Sequence, residues 1–194
     1  MDVDLLLASQ SPRRQELLEQ LGVCFSVLSQ NVDENHQPGE PPEAFVQRLA
    51  LDKATAVWQK LSAAQKKPVL GADTVVVIEN QILGKPASRD EALNMLQTLS
   101  GRTHQVMTGV ALVSRQQSVC VNVSEVTFRE LDPEEIEAYW ETGEPVDKAG
   151  AYAIQGYAAA FIQQLVGSYS GVMGLPLFET ARLLKQNDVP VWRI

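Results

Sequence analysis

Cysteine is scarce in this chain. Cys24 and Cys120 are the two among 194 residues, far apart and without a CxxC spacing. That argues against a disulfide framework and for a reducing compartment in which both thiols simply pack. Histidine is equally rare, with His36 and His104 alone, so a three-histidine metal site is impossible. A Ser-His-Asp triad would have only His104 to draw on, and no GxSxG elbow supports one; structural duty for His104 is the simpler reading. Cations are short as well: 16 Lys and Arg against 24 Asp and Glu leave a net charge of −8. Such a chain is a poor non-specific binder of nucleic acid polymers or anionic membranes, although a pocket for a small anion needs only local cations. No 18-residue apolar run exists, so no membrane span is expected. The opening Met-Asp-Val-Asp has no cationic leader character, and a cytoplasmic location follows as the expectation. Repeats, low-complexity tracts and breaks in composition are missing too, so residues 1–194 read as one domain. At 45% hydrophobic and 21% charged, that domain is globular rather than disordered.

What is present centres on Leu5 to Gly22, LLLASQSPRRQELLEQLG. The run Leu5 to Ala8 reads as a buried strand. The chain breaks at Ser9-Gln10-Ser11-Pro12 and resumes with Leu17, Leu18 and Leu21 at helical spacing, stopping at Gly22. Ser11 suits an N-cap and Pro12 the first helical position. Arg13 and Arg14 then oppose the positive end of the helix dipole, at a cost of about 0.3–1 kcal/mol each when exposed. A bound anion would reverse the sign, because free N–H groups, two hydroxyls and two guanidiniums would converge on it. The competing reading is a solvated arginine pair.

Val23 to Leu28 reads as a second strand, and Ser29 to Pro42 as a loop carrying Asp33-Glu34, either a metal-binding pair or a solvated acidic turn. Glu43 to Leu61 has the stripe of a helix, with Val46, Leu49, Ala50, Val57 and Leu61 inside. At about 100° per residue, Lys53 falls in the middle of that stripe, where it either snorkels or lines a cleft. Arg48 points to the opposite side, solvated or ion-paired. Val69 to Ile78 is nearly continuous in apolar residues, as a strand buried on both faces would be. Asp73 interrupts it, which is costly unless the carboxylate is paired, hydrogen-bonded or metal-bound. Ile82-Leu83 is a short return strand. Lys85 is held between Gly84 and Pro86, outside any phosphate-cradling GxxxxGK[ST] pattern.

Ser88 to Glu91 is a capping box opening a helix that stops at Gly101. Thr103 to Ser114 and Ser118 to Arg129 read as a long hairpin. Asp132-Pro133-Glu134-Glu135 reads as another capped helix start, ending at Gly143. Glu144 to Gly156 has no period and looks like a shaped loop over a site, with Gln155 suited to reading a base edge. Tyr157 to Val166 reads as a strand, Gly167 to Gly174 as a glycine-rich turn, and Leu175-Pro176 leads into a last helix. The alternation predicts an α/β fold with a mixed sheet. Arg13, Arg14, Lys53 and Lys85 beside Glu34 and Asp73 are the ingredients of metal-assisted phosphoanhydride chemistry.

The ordered segments SQSPRR (9–14), VDE (32–34), RLA with KA (48–50, 53–54), GADT (71–74), GKP (84–86), THQV with TG (103–106, 108–109), DKAG with IQG (147–150, 154–156) and GLP (174–176) resemble the Maf proteins. These are nucleoside triphosphate pyrophosphatases related in fold to the inosine triphosphate pyrophosphatases. The resemblance implies an elongated mixed sheet with flanking helices and two lobes around a nucleotide cleft. It implies hydrolysis of a nucleoside triphosphate to the monophosphate and pyrophosphate with a divalent cation, Mg²⁺ or Mn²⁺. By resemblance Asp73 is the general base, Glu34, Lys53 and Lys85 are further active-site residues, and Ser9, Arg13 and Arg14 belong to the phosphate-binding loop. The mechanism expected from these residues has Glu34 and Asp73 hold the metal, with the Ser11 hydroxyl beside the phosphates. Arg13, Thr74 and Gln155 match the branch acting on dTTP and UTP, including modified pyrimidines. The sister branch, which prefers 7-methyl-GTP, carries Trp, Gln and Glu there. The resemblance further implies a homodimer as the common assembly and, in some members, a link to arrest of cell division, which leaves a non-catalytic nucleotide-responsive regulator as the alternative.

Overall fold

The most apolar run of the chain becomes the middle of a sheet. The computed structural model describes residues 3–192. Strands β1 (Leu5–Leu7), β2 (Phe25–Val27), β3 (Val69–Ile78), β4 (Gln81–Leu83), β5 (Thr103–Val113), β6 (Gln117–Phe128) and β7 (Ile162–Val166) form one seven-stranded sheet. Its order is β2-β1-β3-β5-β6-β7, with β4 beside β3. β1 runs parallel to β2 and β3, whereas β3, β5, β6 and β7 are antiparallel in turn. The sheet is therefore mixed, as the alternation of elements predicts. In β3 every residue but Thr74 is buried.

The β1 side of β3 is incomplete. β1 pairs only with Val69 and Leu70, and β4 only with Val76 to Ile78. Among the described residues no strand covers that edge from Gly71 to Val75, although the same residues pair with β5 on the other side. The gap opens where β1 ends.

Helix α2 (Pro42–Lys60) covers one face. Phe45, Val46 and Leu49 pack on Val75 and Val77, and Ala54 and Val57 pack on Val69 and Val113. It can lie so close because two sheet residues have no side chain. A Cβ at Gly71 would sit 2.2 Å from the Ala50 carbonyl oxygen, and one at Gly109 would sit 2.3 Å from that of Val46. On the other face, α1 (Pro12–Gln20) and α6 (Leu177–Gln186) enclose Leu70 and Ala72 with Leu17, Leu18, Leu183 and Leu184. Farther along that face, α3 (Arg89–Leu99) and α4 (Pro133–Glu141) enclose Val76 and Ile78 with Leu96, Leu99, Ile136 and Tyr139. Each such leucine contributes about 1.5–3 kcal/mol by leaving water.

His104 sits inside this second cluster at 2% exposure, edge-on to Phe128 and 2.8 Å from the Tyr152 hydroxyl. Burial lowers its pKa to about 4, so the ring is neutral and structural. Cys24 and Cys120 are free and half-buried.

Four local expectations are corrected. Tyr157 to Val166 is not all strand: Tyr157–Phe161 is a 3₁₀ turn, and only Ile162–Val166 joins the sheet. The cause is remote, since the Glu144 carboxylate accepts the N–H groups of Tyr157 and Ala158 and so caps the turn from outside it. Gly167 to Gly174 contains a five-residue helix, α5 (Tyr169–Met173), because the Ser168 hydroxyl accepts the Gly171 N–H. The box at Asp132 does not form. Asp132 makes no side-chain cap, and Glu135 instead pairs with Arg129. Ser11, too, flanks its helix without a side-chain cap. At Ser88 the cap is present, with the Glu91 N–H donating to its hydroxyl.

Candidate active site

The gap in the sheet is the floor of a cleft of about 880 Å³, a size suited to a small-molecule ligand. Side chains alternate along β3, so Asp73 and Thr74 leave it on opposite faces. The missing strand exposes both to the same cleft, and both line it.

Asp73 leaves on the α2 face, 8% exposed. Lys53, one turn beyond Ala50 on the closely seated helix, places its Nζ 2.7 Å from Asp73 Oδ1. The same ammonium stands 2.7 Å from Glu34 Oε1. Of the two sequence readings of Lys53, it therefore takes the cleft. Glu34 reaches in from the loop after β2 and is half-exposed. Desolvation pushes its carboxyl upward, but the hydrogen bond and charge of Lys53, with Lys85 and Arg14 beyond, leave it below the usual carboxylate range.

Thr74 leaves on the other face and meets Arg14. The guanidinium is locked by three bonds: Nε donates to the Gly174 carbonyl at 2.9 Å, Nη1 to Ser9 Oγ at 3.2 Å and Nη2 to Thr74 Oγ1 at 3.2 Å. Thr108 donates its single hydroxyl proton to the Gly171 carbonyl at 2.8 Å. Its contact with Thr74, 2.9 Å between hydroxyl oxygens, must then be donated by Thr74. Both hydrogen bonds of Thr74 are thus directed to protein, and they orient Arg14. Ser9 Oγ accepts from Arg14 and from the Ser11 N–H, which leaves its own proton for an incoming oxygen. Burial lowers the Arg14 pKa, opposed chiefly by Asp73; at any ordinary pH the group stays charged.

Arg13, Ser11 and Lys85 line the same cleft, and Gln155 does so from an exposed position on the loop after α4. All ten residues singled out from the sequence therefore border one space. Sequence reading passed over Lys148. It lines the cleft, and burial first, then Arg13 and Lys85, lowers its pKa. It falls inside the DKAG segment, but no periodicity points it at the cleft, because the backbone at Asp147 and Ala151 takes positive φ, 61° and 60°.

The donor set sets limits on a metal ion. Among the described residues no group of three or more His, Cys, Asp or Glu side chains could hold one. Glu34 and Asp73 offer a pair of carboxylates converging on one ammonium. A pair suits Mg²⁺ or Mn²⁺, which commonly complete their shells with water and substrate phosphate oxygens rather than with a protein cage.

Comparison with known proteins identifies the family. The family model described as Maf-like protein matches residues 4–187. A dTTP/UTP pyrophosphatase of Alkalilimnicola ehrlichii is 55% identical over 192 residues, covering 97% of this chain and 95% of that protein. One of Saccharophagus degradans is 54% identical over 193 residues, covering 98% and 91%. The structure of the Staphylococcus aureus Ham1 protein covers 95% of this chain and 98% of its own at a TM-score of 0.53 and 12% identity, a likeness of fold alone.

Proposed function

From the premise that this chain belongs to the Maf-like family, we propose that it hydrolyses dTTP and UTP, and modified pyrimidine nucleotides of the same shape, to the nucleoside monophosphate and pyrophosphate. The observation that carries this reading is Lys53 bridging Asp73 and Glu34 in a cleft whose opposite wall holds an oriented Arg14. The relatives named above are dTTP/UTP pyrophosphatases.

In this reading the triphosphate lies across the gap in the sheet. The Asp73 carboxylate accepts a proton from a water whose oxygen attacks the α-phosphorus, and the bond from that phosphorus to the bridging oxygen breaks. Arg13, Arg14, Lys53 and Lys85 stabilise the charge that grows on the departing pyrophosphate. Ser9 and Ser11 donate to phosphate oxygens. Glu34 and Asp73 are the residues that would hold Mg²⁺ or Mn²⁺, which when bound supplies Lewis-acid neutralisation of the phosphates. Arg13, Thr74 and Gln155 select the nucleotide, with Gln155 at the base edge and Thr74 acting through Arg14. The chain works as one two-lobed unit in the cytoplasm, as a homodimer. Among the described residues no helix is long and apolar enough to cross a membrane.

The test is pyrophosphate release from a panel of nucleoside triphosphates with Mg²⁺ or Mn²⁺, repeated with EDTA. Metal-dependent turnover led by dTTP and UTP is expected. Turnover led by 7-methyl-GTP would discard the reading of Arg13, Thr74 and Gln155. No turnover on any nucleotide would leave a non-catalytic regulator.

A further inference from the structure

Glu34 is the cleft carboxylate that arrives on a long loop. It sits on a loop of 14 residues between β2 and α2, its side chain is 55% exposed, and Lys53 is its ion-pair partner. A carboxylate on so long a connection needs something to place it, since an untethered loop of that length samples many positions.

A second group on α2 does the tethering. Arg48 lies five residues before Lys53 and faces the base of the same loop. Its Nε donates to Glu40 Oε1 at 2.6 Å and its Nη2 to Glu40 Oε2 at 2.8 Å, a bidentate pair. The same Nη2 donates to the Asn35 carbonyl at 3.0 Å, the residue next to Glu34. The Arg48 and Glu40 side chains are 22% and 10% exposed, so the pair is partly withdrawn from water. Glu40 extends the clamp: its carboxylate accepts the Gln37 N–H at 3.2 Å, and its carbonyl accepts from His36 Nε2 at 2.8 Å. On the far side of Glu34, Asp33 Oδ1 accepts both the N–H and the side-chain amide of Asn35. Three polar side chains of α2 reach this loop among the described residues: Lys60 bonds Gln30 near its start, Arg48 grips the frame around Glu34, and Lys53 receives the Glu34 carboxylate. A guanidinium addresses both carboxylate oxygens and a carbonyl with donors fixed in one planar fork, whereas a lysine ammonium is a point donor on a flexible stem and does not reproduce that geometry.

We propose that Arg48 is the positioning residue for Glu34: through Glu40 and the Asn35 carbonyl it holds the 33–40 loop so that the Glu34 carboxylate arrives beside Asp73 ready for a divalent cation. This rests on the reading of Glu34 as a metal-side carboxylate given under Proposed function. Arg48 touches neither substrate nor metal in this role.

Three variants test it: Arg48→Lys, Glu40→Gln and Glu34→Gln, with the Arg48→Lys/Glu34→Gln double variant. Amide hydrogen exchange of the protein alone reports the loop, and water-proton relaxation reports Mn²⁺ affinity in the presence of saturating α,β-imido-dUTP. Arg48→Lys and Glu40→Gln are each expected to speed exchange at residues 32–37 while leaving β3 protected. Each is expected to weaken Mn²⁺ binding by about tenfold or more, the usual cost of removing a group that orients a ligand. Binding of the analogue in EDTA should change less than twofold. Arg48→Lys should add little in the Glu34→Gln background, because the two act on one event. An equal Arg48→Lys penalty with and without Glu34 overturns the proposal, as does unchanged Mn²⁺ affinity with a loosened loop. If Glu34→Gln binds Mn²⁺ as the wild type does, or the wild type binds none, the metal reading itself falls and the clamp with it. Should Arg48→Lys not fold, Glu40→Gln reads the same loop and the same affinity.

Discussion

Replacing Asp73 by Asn keeps the shape of the side chain and removes its ability to take a proton. General-base assistance typically contributes about 10²–10⁴-fold, so Asp73→Asn should lose at least about two decades of kcat while nucleotide still binds. Single-turnover assays beside equilibrium binding would check this, and near-wild-type turnover would remove Asp73 from the role. Gln155 offers a second test at the same scale. A neutral amide pairs with a pyrimidine edge by donating and accepting, whereas a carboxylate only accepts. Gln155→Glu should lower kcat/KM for UTP on the order of tenfold or more relative to 7-methyl-GTP, measured with both nucleotides in competition. An unchanged ratio would mean that residue 155 does not read the base. Thr74 differs in kind: its hydroxyl accepts from Arg14 and donates to Thr108, so its influence on the nucleotide passes through the guanidinium.

The decisive element is α2, because its seat on the sheet sets where Lys53 and Arg48 emerge. Gly71→Ala would drive a methyl into the Ala50 carbonyl. Overpacking of this sort costs about 1–3 kcal/mol, which in a chain of this size lowers Tm by about 2–4 °C per kcal/mol. Lifting α2 also withdraws Lys53 from Asp73, so turnover should fall at temperatures where the variant is still folded. A thermal melt paired with an activity assay separates the two effects. The loop after α4 depends on a different anchor. Glu144 accepts from the Tyr139 hydroxyl at 2.7 Å and from two N–H groups of the 3₁₀ turn. Glu144→Ala leaves those donors unpaired at about 1–3 kcal/mol. Because the loop carries Gln155 and Lys148, KM for UTP should rise more than kcat falls. Urea unfolding and steady-state kinetics would show whether both changes occur.

At the scale of the whole molecule, stability should carry the signature of His104. Its pKa in the folded state is about 4, against an ordinary 6.5, because burial disfavours the charged ring. Between those values the unfolded chain binds a proton that the folded chain refuses, so stability rises with pH across that window. Below about pH 6.5 the contribution is progressively lost, reaching about 3 kcal/mol near pH 4. Urea midpoints measured from pH 7 to pH 4 for the wild type and for His104→Leu should differ in slope by that amount. Parallel curves would show that the ring is not held neutral.

The sequence by itself determined the alternation of helices and strands, the burial of β3 and the oddness of Asp73 and Lys53. These are local facts: an apolar run, a helical stripe, a charge where neither tolerates one. It also carried the segments through which family membership was visible. Only the tertiary structure decided the sheet order, the gap beside Gly71 to Val75 that brings Asp73 and Thr74 into one cleft, and the recruitment of Lys148. The same holds for the 3₁₀ turn at Tyr157 and the grip of Arg48 on the loop of Glu34. Each depends on a partner distant in the chain: Glu144 reaches a turn 13 residues on, and Arg14 reaches Thr74 60 residues on. Propensity and periodicity sum over neighbours in sequence, whereas a hydrogen bond forms between neighbours in space, and only folding makes those the same.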